Sequence, residues 1–207
     1  MKKIKLGMSR LPLEWRLKLI RKVFIDLIKG NPKKMAYAFR VHLRRLAIFL
    51  ILMGEKSSRL LSVGMTEHER RVMHKQIAGL SPIPLDEQCE VLQDCTAVAL
   101  KAVGSECERP TIPLIQQMIE GHTREMTVVV KVYFRRQAAL LKLLDPSSVR
   151  RLQKELSGDE KQILADNPME QALTLREKVS LLDDFTDVAL FMNSALAGNK
   201  EIADLFR

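Results

Sequence analysis

The chain has 207 residues, of which 46% are apolar and only 5% aromatic. This apolar content excludes a disordered chain, and it is sufficient for a single hydrophobic core or for two small units that share a hydrophobic core. The scarcity of aromatic residues, the abundance of Leu, Ala, Lys, Arg and Glu, and the lack of period-2 alternation exclude a sheet-rich protein and predict an all-α fold. The net charge of +9 is concentrated at the N-terminus, because residues 1–45 hold 14 Lys/Arg and two acids, whereas residues 46–207 hold 20 Lys/Arg and 23 acids.

Residues 1–30 are predicted to form a basic amphipathic arm. Apolar residues between Leu13 and Ile28 recur at helical spacing, basic residues take most other positions, and Gly30-Asn31-Pro32 ends the helix. Two interpretations stay open: the helix packs on the first repeat described below, or it lies on an anionic membrane or an acidic partner helix. The arm residues predicted to bind membrane or partner are Trp15, Arg16, Lys18, Arg21, Lys22, Phe24 and Lys29.

The rest of the chain contains two similar segments. Shifting the sequence by 91 positions gives 12 identities over 44 positions, and an offset of 90 then aligns VLQDCTAVAL (91–100) with LLDDFTDVAL (181–190) within a stretch of eight identities over 17. Thr66-x-x-Glu69 and Ser157-x-x-Glu160 are capping boxes at matching positions. A fixed offset with the same helix-start chemistry indicates a duplicated unit rather than two unrelated amphipathic helices.

Each copy is predicted to contain about four helices. In the first copy a long helix at about 31–53 is followed by a short helix that begins at Gly54 and by helices at 67–79 and 85–103. In the second copy a long helix at 123–144 is followed by a short helix that begins at Asp145-Pro146 and by helices at 158–166 and 171–197. The predicted architecture is therefore two tandem four-helix repeats forming a superhelix or bundle, with repeat 1 at 31–104, a linker or short helix at 105–122 and repeat 2 at 123–207. The residues predicted to pack between repeats are Leu50, Leu52, Leu61, Leu92, Val98, Leu141, Leu143, Leu152, Leu182 and Val188.

No pattern predicts catalysis, a metal site or a cofactor. The isolated glycines form neither a phosphate-binding loop nor a dinucleotide fingerprint. His68 and His74 are six residues apart, on different faces of one helix, and we interpret them as surface residues. The aspartates at 183, 184 and 187 are interpreted as a charged outer face. We therefore expect a protein that is not an enzyme and has no small-molecule substrate.

The compartment and the partners of the arm are predicted less directly. Cys89, Cys95 and Cys107 lack C-x-x-C spacing and follow no secretory signal, which indicates reduced thiols in the cytoplasm. The basic arm also suits nucleic acid, although it lacks the interleaved aromatic residues that stack on bases. A secretion-system effector or a chaperone with a helical groove is a further alternative.

Residues 47–95, AIFLILMGEKSSRLLSVGMTEHERRVMHKQIAGLSPIPLDEQCEVLQDC, resemble the N-terminal domain of the flagellar motor switch protein FliG. The shared steps are an apolar helix ending at Gly54-Glu55, the helix start at Thr66, a helix ending at Ile77-Ala78-Gly79-Leu80, and a helix running from Glu87 to Asp94. The segment LLKLLDPSSVRRLQKELSGDEKQIL of the second copy is similar to the helical N-terminal domain of MgtE-type magnesium transporters. The family's torque-generating C-terminal domain has no counterpart in this chain, and residues 1–34 match nothing in the pattern.

The resemblance implies a non-enzymatic helical scaffold or adaptor. In that family the domain docks onto the membrane ring of the flagellar basal body and self-associates by exchanging helices. We therefore expect a cytoplasmic protein held peripherally at the inner membrane, with a membrane-ring or other membrane-complex protein as its partner. Helix exchange could take place between the two copies within one chain.

Overall fold

The computed structural model describes residues 11–104, 111–168 and 173–194, without the side chains of residue 102 and residues 187–194. Every regular element in these ranges is a helix, which confirms the predicted all-α fold class. None of the helices within these ranges combines the length and the apolar character needed to cross a bilayer. Cys107 and the side chains of Asp187 and Val188 lie outside the described part.

The helices follow one another with short connections. In the first part of the chain they are α1 Leu13–Gly30, α2 Pro32–Phe39, α3 Val41–Ser62, α4 Glu67–Ala78 and α5 Leu85–Val103. In the second part they are α6 Ile112–Gly121, α7 Thr123–Leu143, α8 Pro146–Lys154, α9 Gly158–Asp166 and α10 Leu175–Ser194.

Local capping chemistry explains most of the helix starts. Both predicted capping boxes form: the hydroxyls of Thr66 and Ser157 accept from the amides three residues later, and the glutamates at those positions accept from the cap amides. Asp145 caps α8, with proline at its first position as predicted.

Two predicted helices in the long segments differ from the structure. The helix predicted at 31–53 is interrupted at Arg40, whose amide donates to the carbonyl of Tyr37 at 3.0 Å and so closes α2 with a tight turn. The helix predicted from 171 begins at Leu175, because the hydroxyl of Thr174 accepts from the amide of Glu177 and caps α10.

The helices form two compact units that do not follow the segments 1–30, 31–104, 105–122 and 123–207. Among the described residues, unit 1 comprises residues 11–41, 139–156 and 173–194, and unit 2 comprises residues 42–104, 111–138 and 157–168. Each unit therefore draws helices from both sequence copies.

In unit 1, helix α1 packs mainly on α10 and also contacts α2 and α8. Phe185 of α10 lies at the centre, with its ring centroid 5.9 Å from that of Phe24 and 5.8 Å from that of Phe39. Helix α1 thus contacts the first repeat through α2, as one of the two interpretations expects, but its main neighbour is α10, the last helix of the second copy.

Unit 2 also combines helices from both parts of the chain. Its core joins Phe49 of α3 and Val91 of α5, both from the first copy, to Ile115 of α6 and Phe134 of α7. The offset of 91 aligns residues 112–121, which form α6, with residues 21–30 of α1. Unit 1 therefore combines α1 and α2 with α8 and α10, whereas unit 2 combines α3 to α6 and most of α7 with α9.

Candidate protein-binding groove

An apolar groove lies between α3 and α4 in unit 2. Its volume is about 550 Å³, and its apolar lining comes from Leu50, Ile51, Met65, Met73 and Ile77. Ile51 and Ile77 keep 44% and 38% of their surface exposed. Exposed aliphatic side chains around a concave surface are typical of a site that another molecule covers.

The kink at Gly54 shapes this groove. Gly54 has a φ of 75°, which a residue with a side chain rarely adopts, and it lines the groove at the bend of α3. The bend frees two carbonyls of the helix, which side chains then satisfy: Gln116 donates to the carbonyl of Met53 at 2.8 Å, and Ser58 donates to that of Leu50.

The polar rim of the groove is mainly basic. Arg59, Arg70 and His74 line it together with one acid, Glu55. Arg59 pairs with Glu55, and Arg70 donates to the carbonyl of Met65 at 2.7 Å, which holds its guanidinium beside the opening. An acidic partner segment would complement this rim.

A buried polar cluster fixes α4 against α7 and against the end of α9. The fully buried Glu69 accepts from the ammonium of Lys131 at 2.6 and 2.7 Å and from the amide of Asn167 at 2.8 Å. Its carboxylate also accepts from the Thr66 amide at 2.7 Å in the capping box. These donors compensate the desolvation of the buried charge, so we assign Glu69 a role in holding the helix.

A second cluster joins α5 to α7. Burial opposes ionisation of Asp94, but hydrogen bonds from Arg136 and the Tyr133 hydroxyl lower its pKa. Burial raises the pKa of the neighbouring Cys95 thiol to about 12, so the thiol stays protonated at neutral pH and is not an activated nucleophile. Burial likewise raises the pKa of Tyr133.

The structure separates the arm residues that the sequence groups together. Trp15 is 67% exposed, and Lys18, Arg21, Lys22 and Lys29 are also exposed. Arg16 is instead paired with Asp183 of α10, so Asp183 is not simply part of a charged outer face. Phe24 is fully buried in unit 1, so its side chain is not available to a membrane or a partner while α1 stays packed.

The residues predicted to pack between repeats occupy several environments. Buried side chains are those of Leu50, Leu61, Leu152 and Leu182; half-buried side chains are those of Leu52, Leu92, Val98, Leu141 and Leu143. Leu50 also lines the groove. A role in joining two repeats stays a prediction for all of them.

The histidines have separate surroundings. His68 lies 3.0 Å from a carboxylate oxygen of Asp159 through its Nδ1, and His74 lines the groove. Within the described residues, no group of three or more His, Cys, Asp or Glu side chains could hold a metal ion.

Comparison with known proteins found no matching protein-family model, curated protein or solved structure. The groove and the charged surface of this chain are therefore the features that bear on its function. The groove residues Ile51, Met73 and Ile77 were not predicted as a site, although Met73 and Ile77 stand four residues apart on α4, at the spacing of one helix face.

Proposed function

We propose that the chain is a non-enzymatic helical scaffold or adaptor whose groove binds an amphipathic helix of a membrane-associated protein complex. The observation that carries the proposal is the exposed apolar groove between α3 and α4. Small-molecule sites usually contain several polar groups that converge on the ligand. An open groove between two helices, with an aliphatic floor and a basic rim, is better suited to the apolar face of a helix with acidic flanks.

The finer architecture belongs to the same proposal. We infer two tandem four-helix repeats that exchange helices, supported by the constant offset, by the two matching capping boxes and by the mixed origin of each unit. The resemblance to the FliG N-terminal domain suggests a partner in the flagellar basal body or motor switch, at the cytoplasmic face of the inner membrane. Self-association by the same exchange is the alternative for the groove's occupant.

Site-specific crosslinking in the native cells tests the groove. A benzoylphenylalanine at position 77, inside the groove, should capture a protein of a membrane complex through a helix with an apolar stripe and acidic flanks. The same residue at Val63, which is 79% exposed and outside the groove lining, is the control. Capture of a second copy of this chain, or identical products from both positions, would contradict the proposal.

Substitution then measures the contribution of the groove. Ile51→Asp combined with Ile77→Asp should weaken binding of the captured segment by about 30-fold or more, because charges placed on an apolar contact remain desolvated in the complex. Fluorescence anisotropy with the labelled segment gives the affinity. Val63→Asp should leave that affinity unchanged.

A further inference from the structure

The packing of α1 determines which of its faces can meet a partner. Ile20, Phe24, Leu27 and Ile28 are buried within unit 1, where α10 is the main neighbour of α1. Insertion of this apolar stripe into a bilayer would require α1 to leave α10 and expose that core. The opposite face of α1 is therefore the one available for binding.

That opposite face carries a line of cations with a tryptophan at one end. Trp15, Lys18, Lys22 and Lys29 are exposed and are spaced three, four and seven residues apart. This spacing places them along one side of the helix over about 21 Å, at 1.5 Å per residue. The ammonium of Lys18 lies 5.7 Å from the centre of the Trp15 ring.

Charges of both signs lie beside this face. α8 packs against α1, and Arg151 donates to the carbonyl of Lys29 at 3.5 Å, which brings another cation to the C-terminal end of α1. The acids of α1 are Glu14 and Asp26, and the Asp26 carboxylate lies 3.9 Å from the Lys29 ammonium.

The excess positive charge of the described chain is concentrated in unit 1. Its described residues hold 14 Lys/Arg and 8 Asp/Glu, against 13 and 12 in the described part of unit 2. The face of α1 thus belongs to the more basic of the two units.

We propose that this face of α1 docks onto an anionic lipid bilayer while α1 stays packed on α10. The lysines contact phosphate headgroups, and the exposed Trp15 lies at the bilayer interface. A nucleic-acid surface would instead carry aromatic residues interleaved with the cations for stacking, and this line has one aromatic residue at its end. The proposal is independent of the groove in unit 2.

Vesicle flotation of the full chain tests the charge requirement. The chain should float with phosphatidylcholine vesicles that contain phosphatidylglycerol and should not float with phosphatidylcholine alone. Replacing Lys18, Lys22 and Lys29 by Glu should reduce the affinity by about 100-fold or more, at roughly fivefold for each lysine lost. The matched control changes the exposed residues Lys101, Arg124 and Lys161 of unit 2 to Glu and should float like the original chain.

Trp15 provides a second measurement that requires no substitution. It is the single tryptophan of the sequence, so its emission should shift to shorter wavelength on binding anionic vesicles. Hydrogen exchange of the α1 amides should stay slow in the bound state, because α1 does not leave α10.

Three results would overturn the proposal: equal flotation of both triple variants, an unchanged Trp15 emission, or exposure of the α1 amides to exchange in the bound state. The face would be a nucleic-acid surface if the original chain bound RNA or DNA but no vesicles, and if the α1 triple variant lost the RNA or DNA binding. Retention of vesicle binding by the Ile51→Asp, Ile77→Asp variant separates this proposal from that of the groove.

Discussion

At the scale of single residues, two carboxylates connect helices that are distant in the sequence. Glu69 of α4 is buried and accepts hydrogen bonds from Lys131 and Asn167. Asp159 of α9 lies near the surface of unit 2, where it pairs with Arg71 of α4. The sequence predicts Glu69 as the glutamate of a capping box, three residues after the cap Thr66, and the structure confirms that role. Its two further partners lie 62 and 98 residues away, beyond the reach of any local pattern.

The pairing of Asp159 should make the free energy of unfolding depend on pH. Hydrogen bonds from His68 and then Arg71 lower its pKa to about 2, below the ordinary value of 3.8. A carboxyl with a lowered folded-state pKa stabilises the fold above its unfolded-state pKa, and this contribution is lost as the pH falls towards 2. The stability difference between the original chain and Asp159→Asn should therefore shrink between about pH 4 and pH 2.

Urea unfolding at a series of pH values, followed by circular dichroism, measures this difference. Asp166→Asn, on the same helix, controls for the loss of a carboxylate outside the pairing with α4. A difference that stays constant as the pH falls would show that Asp159 does not gain its stability from the ionised pairing.

At the scale of helices, Gly54 is the feature that divides α3 and shapes the groove. The sequence predicts a new helix from Gly54, and the structure shows a kink there with a positive φ. The interruption at Arg40 was not predicted, because residues 31–53 contain no internal glycine or proline after Pro32. The structure places the guanidinium of Arg40 3.2 Å from the carbonyl of Glu155, a contact with a helix 115 residues away.

Gly54→Ala should destabilise the protein by about 1–2 kcal/mol, the cost of a left-handed backbone at a residue with a Cβ. Steric crowding adds little, because the added Cβ would meet only the Gln116 amide, at 3.8 Å. Thermal and urea unfolding measure the change.

Gly30→Ala is the matched control for this substitution. Gly30 ends α1, has no positive φ and has no atom within 4 Å of an added Cβ. Its replacement should be neutral or slightly stabilising. Equal destabilisation by both substitutions would show that the strain at Gly54 is not the cause.

At the scale of the whole molecule, the mixed composition of the two units predicts how a divided chain behaves. A cut between residues 104 and 111 separates α1 to α5 from α6 to α10, and each compact unit needs helices from both fragments. Neither fragment should form a stable monomer, because each leaves apolar helix faces uncovered. Mixed, the fragments should form a one-to-one complex with the helix content of the intact chain.

Light scattering after size exclusion, together with circular dichroism, tests this outcome, with the intact chain as the reference. A fragment that is monomeric and unfolds cooperatively on its own would contradict the exchange of helices. In that case the segments 31–104 and 123–207 would each fold as an independent unit.

The sequence by itself determined the all-α class, the capping boxes, the break at Gly54 and the bounds of α5, because these depend on residues within a turn or two of each other. It also located the basic arm, since charge can be counted without a fold. Only the tertiary structure decided that Phe24 is covered by Phe185, that Arg16 pairs with Asp183 and that the groove of unit 2 is left open. The physical reason is that hydrophobic burial is non-directional: an apolar helix face can be covered by many others, and only the packing of the whole chain selects one.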